Sequence, residues 1–221
     1  MLNYDIDASV LAPLVPAGTE LDRFDGRTIV SLVGFLFLNT RVLGVPVPFH
    51  RDFEEVNLRF YVRRKADDGW RRAVVFVKEL VPKRAIAAIA RAMYGENYLA
   101  VPMRHSVEPG KVEYIWRFNG AENSIRMTVH GEPYAIETGS EAEFITEHYW
   151  GYSSRGHRRT TEYQVTHPRW RVWNADHSQF VGDVAGLYGR RFVAALRELP
   201  ASAFLAEGSE VTVFKGVPLD T

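Results

Sequence analysis

Hydrophobic positions along this chain fall into short β-type runs separated by turn signals, with one helical stripe among them. Thr28–Leu38 is rich in Ile, Val and Phe and has the length of a buried strand. Phe53–Arg64 alternates, and after a one-residue break Val56, Leu58, Phe60 and Val62 share one face. Asp67-Asp68-Gly69 is a turn signal and Trp70–Glu79 resumes a β-branched run, so the two segments predict a hairpin. Pro82 opens a helical stretch in which Ile86, Ile89, Ala90, Met93 and Tyr94 repeat at amphipathic spacing, closed by Gly95. Lys111–Phe118 and Ser124–His130 alternate on either side of Asn119-Gly120, a second hairpin. Ser140 with Glu143 resembles a capping box that starts a short helix running to about His148. Thr160–Thr166 reads as a strand ended by His167-Pro168. Val181–Leu199 reads as a helix broken at Gly186 and Gly189, and Val211–Lys215 as a last strand. Hairpin strands with two or three helices predict an α+β fold on a largely antiparallel sheet or open barrel. No repeat or long polar linker interrupts the pattern, which predicts a single domain over residues 1–221.

Composition narrows the chemistry more than it defines it. The chain has 221 residues and no cysteine, which excludes disulfides, thiolate nucleophiles and cysteine-ligated metal. Lys+Arg and Asp+Glu are both 27, so no bulk field draws the chain to nucleic acid or anionic lipid, and neither is expected as a partner. Asp5, Asp7 and Pro13 argue against a targeting segment, and the apolar run Leu32–Leu38 is too short for a membrane span. A cytoplasmic location is therefore the expectation.

Candidate chemistry concentrates in one strand. Glu55, Asn57, Arg59 and Tyr61 alternate onto the face opposite the apolar set. A solvated face is the ordinary explanation of such a row. This one mixes a carboxylate, an amide, a guanidinium and a phenol, which suits a cleft that brackets a polar small molecule between Glu55 and Arg59. The seven histidines show no paired helical metal motif, so no metal or cofactor is expected; His105 and His148 are candidates for general acid or base. There is no Gly-x-Ser-x-Gly elbow and no phosphate loop. Arg155, His157, Arg158 and Arg159 read as a solvated basic loop, and the dense aromatics Tyr149, Trp150, Tyr152, Trp170 and Trp173 mostly as packing.

The segment Phe53-Glu54-Glu55-Val56-Asn57-Leu58-Arg59-Phe60-Tyr61-Val62 resembles the Phe-x-Glu-x-Asn-x-Arg-x-Tyr-Val signature of the YqjF-like proteins, domain-of-unknown-function family 2071. Further stretches match in order: Pro16-Ala17-Gly18 with Asp25-Gly26, Ala90–Tyr98 followed by Ala100–Met103, Phe144–Tyr149, and Val165–Trp170. In Phe144–Tyr149, His148 stands where arginine is usual. That family is similar in turn to acetoacetate decarboxylase-like proteins. The resemblance implies a cone-shaped, mostly antiparallel barrel with a few flanking helices and a central cavity, in which Glu55 matches a cavity glutamate. It also implies a Schiff-base lysine, but Asn97, Tyr98 and Leu99 occupy the Pro-Lys-Lys places. Lys83-Arg84 offers an adjacent cation pair, but it lies at the start of the helix rather than its end and is better explained as a surface N-terminal turn.

These readings combine into an expectation of small-molecule binding, of an oxo or carboxylate compound, without a Schiff-base lysine. Asn57, Arg59, Tyr61 and Asn97 are the expected binding residues, and Glu55, Tyr98, His105 and His148 the candidates for proton handling. A lysine-independent lyase, hydratase or isomerase with Glu55 as base is the alternative, a partner-binding or regulatory protein a third. Self-association into a homo-oligomer is left open.

Overall fold

A computed structural model describes residues 1–38, 41–42, 45–46, 52–85, 87–88, 97–154 and 159–219. The strands in chain order are β1 (Leu2–Asp5), β2 (Glu20–Leu21), β3 (Ile29–Phe37), β4 (Arg41–Val42), β5 (Val45–Pro46), β6 (Phe53–Ala66) and β7 (Gly69–Val81). They continue with β8 (Tyr98–Ala100), β9 (Met103–Glu108), β10 (Lys111–Phe118), β11 (Ala121–Thr128), β12 (Tyr134–Ala135) and β13 (Trp150–Ser154). The last are β14 (Thr160–Thr166), β15 (Arg171–Asn174), β16 (His177–Val181), β17 (Ser202–Ala206), β18 (Thr212–Val213) and β19 (Val217–Leu219). Short helices α1 (Ala8–Leu11), α2 (Glu141–Thr146), α3 (Val184–Leu187) and α4 (Val193–Arg197) are interspersed.

The large sheet runs β12-β15-β17-β1-β3-β6-β7-β13-β14-β18, with β2 added to β6, β8 to β7 and β19 to β14. Its ladders are antiparallel except where β7 meets β13 and β8. Among the described residues this path is open at both ends. A second sheet, β16-β11-β10-β9, covers one of its faces. Close approach of the two sheets depends on Gly34 of β3, where a Cβ would stand 2.7 Å from the Tyr114 ring of β10.

Both expected hairpins form. Asp67 and Asp68 connect β6 and β7, and Asn119 and Gly120 make the two-residue turn between β10 and β11 with φ of 49° and 79°. The apolar face of β6, with Val56, Leu58, Phe60 and Val62 all fully buried, joins Leu32, Trp116, Tyr152, Leu187 and Phe192 in the main core. Its other face is covered too. There Tyr61 packs with Ile29, Val74, Phe144, Ile145, Val172 and Phe204 in a smaller cluster, roofed by α2. Glu162 of β14 ties this end of the sheet together: it accepts hydrogen bonds from Arg71 at 2.5 Å, Arg64 at 3.3 Å and the Tyr152 hydroxyl at 2.6 Å.

The cap of α2 also forms. Ser140 Oγ accepts from the Glu143 amide at 3.2 Å, and Glu143 Oε2 accepts from the Gly139 amide at 2.7 Å. The helix ends at Thr146, two residues before the expected limit. Replacing Ser140 by alanine orphans one of the helix's first amides and is expected to cost about 1 kcal/mol in urea unfolding.

Two expectations change, and a third lies largely outside the described residues. Val181–Leu199 begins as strand, since β16 takes His177–Val181 as an edge beside β11, and only then breaks into α3 and α4. Gly189, at φ 99°, separates those helices as anticipated. The expected last strand is shortened to β18, and a further strand, β19, follows it; both pair with β14. Helical backbone occupies 84–85 and 87–88, where the Ala87 amide donates to the Lys83 carbonyl; the stripe through Ile89–Gly95, and Ile86 with it, lies outside the described residues. So do Arg155, His157 and Arg158. No helix among the described residues is long and apolar enough to cross a membrane.

Candidate functional site

The polar row of β6 points inward. Glu55, Asn57 and Tyr61 are each 1% exposed and Arg59 is half-buried. The row lies mid-sheet between β3 and β7, and opposite numbers in an antiparallel ladder share a face, so its neighbours are set by register.

Register is what brings a second carboxyl to the site. Leu58 pairs with Lys78 but Arg59 pairs with Phe76, so Val77 is an extra residue, a β-bulge. In an unbroken ladder Glu79 would stand opposite Val56 and face the apolar core. The bulge moves it opposite Asn57, onto the polar face, where it is 2% exposed. Strand β8 then pairs Tyr98 with Glu79 in the parallel sense. Asn57 Nδ2 donates to Glu55 Oε1 at 3.0 Å, the Tyr98 hydroxyl lies 3.4 Å from Glu55 Oε2, and the ladder register sets Glu79 beside Tyr98. Burial pushes Glu55 up from 4.5 to about 7, against the hydrogen bonds of Asn57 and Tyr98 and the attraction of Arg59. Close charge alone would have lowered it; desolvation wins. Burial, with Glu55 and Glu79 beside it, holds Tyr98 well above the ordinary phenol range.

Arg59 has the opposite character. Its Nη2 donates to the Ile145 carbonyl at 3.3 Å and approaches Met1 Sδ at 3.8 Å, while its buried Nε has no hydrogen-bond partner. No carboxylate among the described residues pairs with it. Asn57 Oδ1 is likewise buried and unpartnered. An inward guanidinium without a counter-ion, beside a carboxyl that burial keeps protonated up to neutrality, can take an anionic group at one end and a hydrogen-bond acceptor at the other.

Tyr61 is committed elsewhere. Its hydroxyl meets Ser31 Oγ at 2.6 Å, Ser31 donates to Asn3 Oδ1 at 2.7 Å, Asn3 Nδ2 donates to Ser202 Oγ at 2.9 Å, and Ser202 donates to Glu141 of α2. This polar line crosses β6, β3, β1 and β17 and ends on Arg27, 2.5 Å from Glu141. His148 packs on the Tyr61 ring at 4.6 Å, with Nε2 3.4 Å from Asp22 Oδ2. Burial, together with Arg72 and Arg59, lowers its pKa to about 4 despite Asp22, so the imidazole is neutral. Burial opposes ionisation of Asp22, but the close approach of His148 and the hydrogen bond and charge of Arg72 outweigh it. Tyr61 is six residues from Glu55, about 20 Å along an extended strand, so His148 does not join Glu55. Neither does His105: its Nδ1 lies 3.4 Å from Glu54, which faces the other side of the sheet. Asn97 is exposed and donates to the Val77 carbonyl at 3.0 Å, pinning the bulge, beside a hollow of about 230 Å³ lined by Phe76, Val77 and Ser153.

Two neighbours escaped the sequence reading. Glu79 has no periodic signal because the bulge inverts its parity. Tyr163 of β14 lies flat over Gly151 of β13, where a Cβ would be 2.1 Å from its ring, and its hydroxyl acts electrostatically on Tyr98. Among the described residues no group of three His, Cys, Asp or Glu side chains is arranged to hold a metal ion.

The fold is shared with the acetoacetate decarboxylase of Legionella pneumophila, at a TM-score of 0.63 and 12% identity over 99% of this chain and 83% of that one. It is shared too with the enduracididine biosynthesis enzyme MppR, solved in complex with pyruvate, at 0.61 and 12% over 98% and 81%. At such identities the likeness is one of fold. In sequence the chain is 28% identical over 192 residues to the uncharacterized protein YqjF of Bacillus subtilis strain 168, covering 85% of this chain and 77% of that protein. The model of family DUF2071 matches residues 1–210, and with so nearly complete a match the chain belongs to that family, described as an uncharacterized conserved protein.

Proposed function

We propose that the polar face of β6 binds a small oxo or carboxylate compound, with Arg59 as partner of its carboxylate. Asn57 is its hydrogen bonder, and Glu55 and Tyr98 orient or protonate its oxo group. The observation that carries this reading is the inward Arg59 guanidinium with no carboxylate pair among the described residues and an unsatisfied Nε. Leaving such a donor buried costs roughly 1–3 kcal/mol unless a ligand supplies the acceptor. The pyruvate complex of MppR, a protein of the same fold, is consistent in ligand class. In this proposal the sheets close round that face as a cone-shaped barrel within one domain spanning residues 1–221. Tyr98 and Leu99 stand at the lysine places of the decarboxylases, so binding proceeds without a Schiff base.

Isothermal titration with pyruvate and acetoacetate tests the reading. At least one should bind, and Arg59→Met should weaken it by about tenfold or more, the loss of a charge-assisted hydrogen bond. Binding by neither, or equal affinity in the variant, overturns it.

A second reading, a lysine-independent lyase, hydratase or isomerase, is favoured by one observation. Burial sets Glu55 at about 7, near the optimum of a general base working at neutral pH. Turnover of an oxo acid that disappears in Glu55→Gln while binding persists distinguishes it from binding alone.

A further inference from the structure

Glu79 lies within the same patch but outside the roles assigned above. The bulge at Val77 turns it onto the face of Asn57, the parallel ladder sets it beside Tyr98, and it is as deeply buried as Glu55. Tyr98 therefore stands between two buried carboxyls contributed by two strands: Glu55 Oε2 lies 3.4 Å from its hydroxyl, and Glu79 is its partner in the parallel ladder. From this juxtaposition we infer that Glu79 is a positioning residue, which holds the Tyr98 hydroxyl so that the Glu55 and Glu79 carboxyls share a single proton through it. The inference deepens the proposed site and rests on that reading for its use.

The step balances without any co-reactant. The Glu55 carboxyl gives its proton to the phenol oxygen as the phenol gives its own to the Glu79 carboxylate. One O–H bond breaks and one forms at Tyr98, which stays neutral, and the trio keeps a net charge of −1 throughout. A proton taken up by Glu55 from a bound oxo acid thus passes to a carboxyl that the ligand does not touch, which restores Glu55 as an acceptor. Among the described residues, the groups acting on the trio are Asn57 and Arg59 from β6 and Tyr163 from β14. Arg59 attracts the charge toward Glu55.

The test is a carboxyl titration of the full chain labelled with ¹³C at the glutamate carboxyl, followed by NMR without ligand. It can therefore fail while an oxo acid still binds at Arg59, and the reverse. In the unaltered chain Glu55 should titrate near neutrality together with a second carboxyl. Glu79→Gln should lower the Glu55 midpoint by about one pH unit or more, because a like charge is gone. In a chain already carrying Tyr98→Phe the same substitution should shift it by less than half as much, because the bridge is gone. Glu79→Asp, which keeps the charge, should restore the coupled titration, and serves if the glutamine variant does not fold. A Glu55 midpoint indifferent to Glu79→Gln overturns the inference. So does an undiminished shift in the Tyr98→Phe background, which would mean two charges acting directly on each other.

Discussion

Glu55→Gln should stabilise the protein by about 3 kcal/mol at pH 8 and leave its stability unchanged at pH 4. The carboxyl titrates at 4.5 when unfolded and at about 7 when folded, because burial disfavours its anion. Its contribution is thus complete below pH 4.5 and is lost as pH rises through 7, at about 1.4 kcal/mol per pH unit between those limits. Glutamine keeps the acceptor for Asn57 and never ionises, so it escapes the loss. His148 works with the opposite sign. Its folded pKa of about 4 lies below the ordinary 6.5, so its contribution is complete above pH 6.5 and is lost as pH falls through 4. In the unaltered protein the two slopes oppose each other between pH 4.5 and 6.5 and largely cancel. Urea unfolding of Glu55→Gln across that range should therefore expose the histidine alone, with stability climbing as pH rises. A variant whose stability tracks the unaltered protein at every pH would show Glu55 to be solvated.

Gly151→Ala should cost about 2–3 kcal/mol. The new Cβ would stand 2.1 Å from Tyr163 Cζ and 2.4 Å from its hydroxyl oxygen, and the ring, only 6% exposed, cannot swing into solvent without opening the sheet. Tyr163→Ala removes the obstacle and leaves a cavity of its own, so the double variant should lose less than the two single losses combined. Thermal unfolding of the three variants measures that coupling. Because Tyr163 also acts on Tyr98, Gly151→Ala should disturb the proton-handling end of the site, while Arg59, held by Ile145, should keep its place. Strict additivity would mean that the two residues do not touch.

Local rules made much of this protein readable. The two hairpins depend on contacts between residues close in the chain, with turn residues that accept positive φ or a tight connection. The cap at Ser140 needs only a residue three positions on. The alternation of β6 placed Glu55, Asn57, Arg59 and Tyr61 on one face, and they are on one face. What alternation does not contain is what lies over that face. Strands β1, β9, β13, β15 and β17 carry weak patterns of their own because they are short or half exposed, and they are strands because partners far along the chain pair with them.

The site divides in the same way. Periodicity along one strand was sufficient to choose Glu55 and Arg59, since a side chain's face follows from its parity. It also suggested Tyr61, and the inventory of histidines added His148 and His105 as companions; the three-dimensional arrangement places them elsewhere. Tyr61 spends its hydroxyl on a polar line through Ser31 and Asn3, His148 is bound up with Asp22 some 20 Å away along the strand, and His105 serves Glu54 on the reverse side. One inserted residue, Val77, converts Glu79 from a core-facing position into a neighbour of Asn57. The sequence by itself determined which groups could face inward together. Only the packing of distant strands determined that both faces of β6 are buried, and desolvation, a property of that enclosure and of no residue alone, is what carries Glu55 to neutrality and leaves Arg59 Nε without a partner among the described residues.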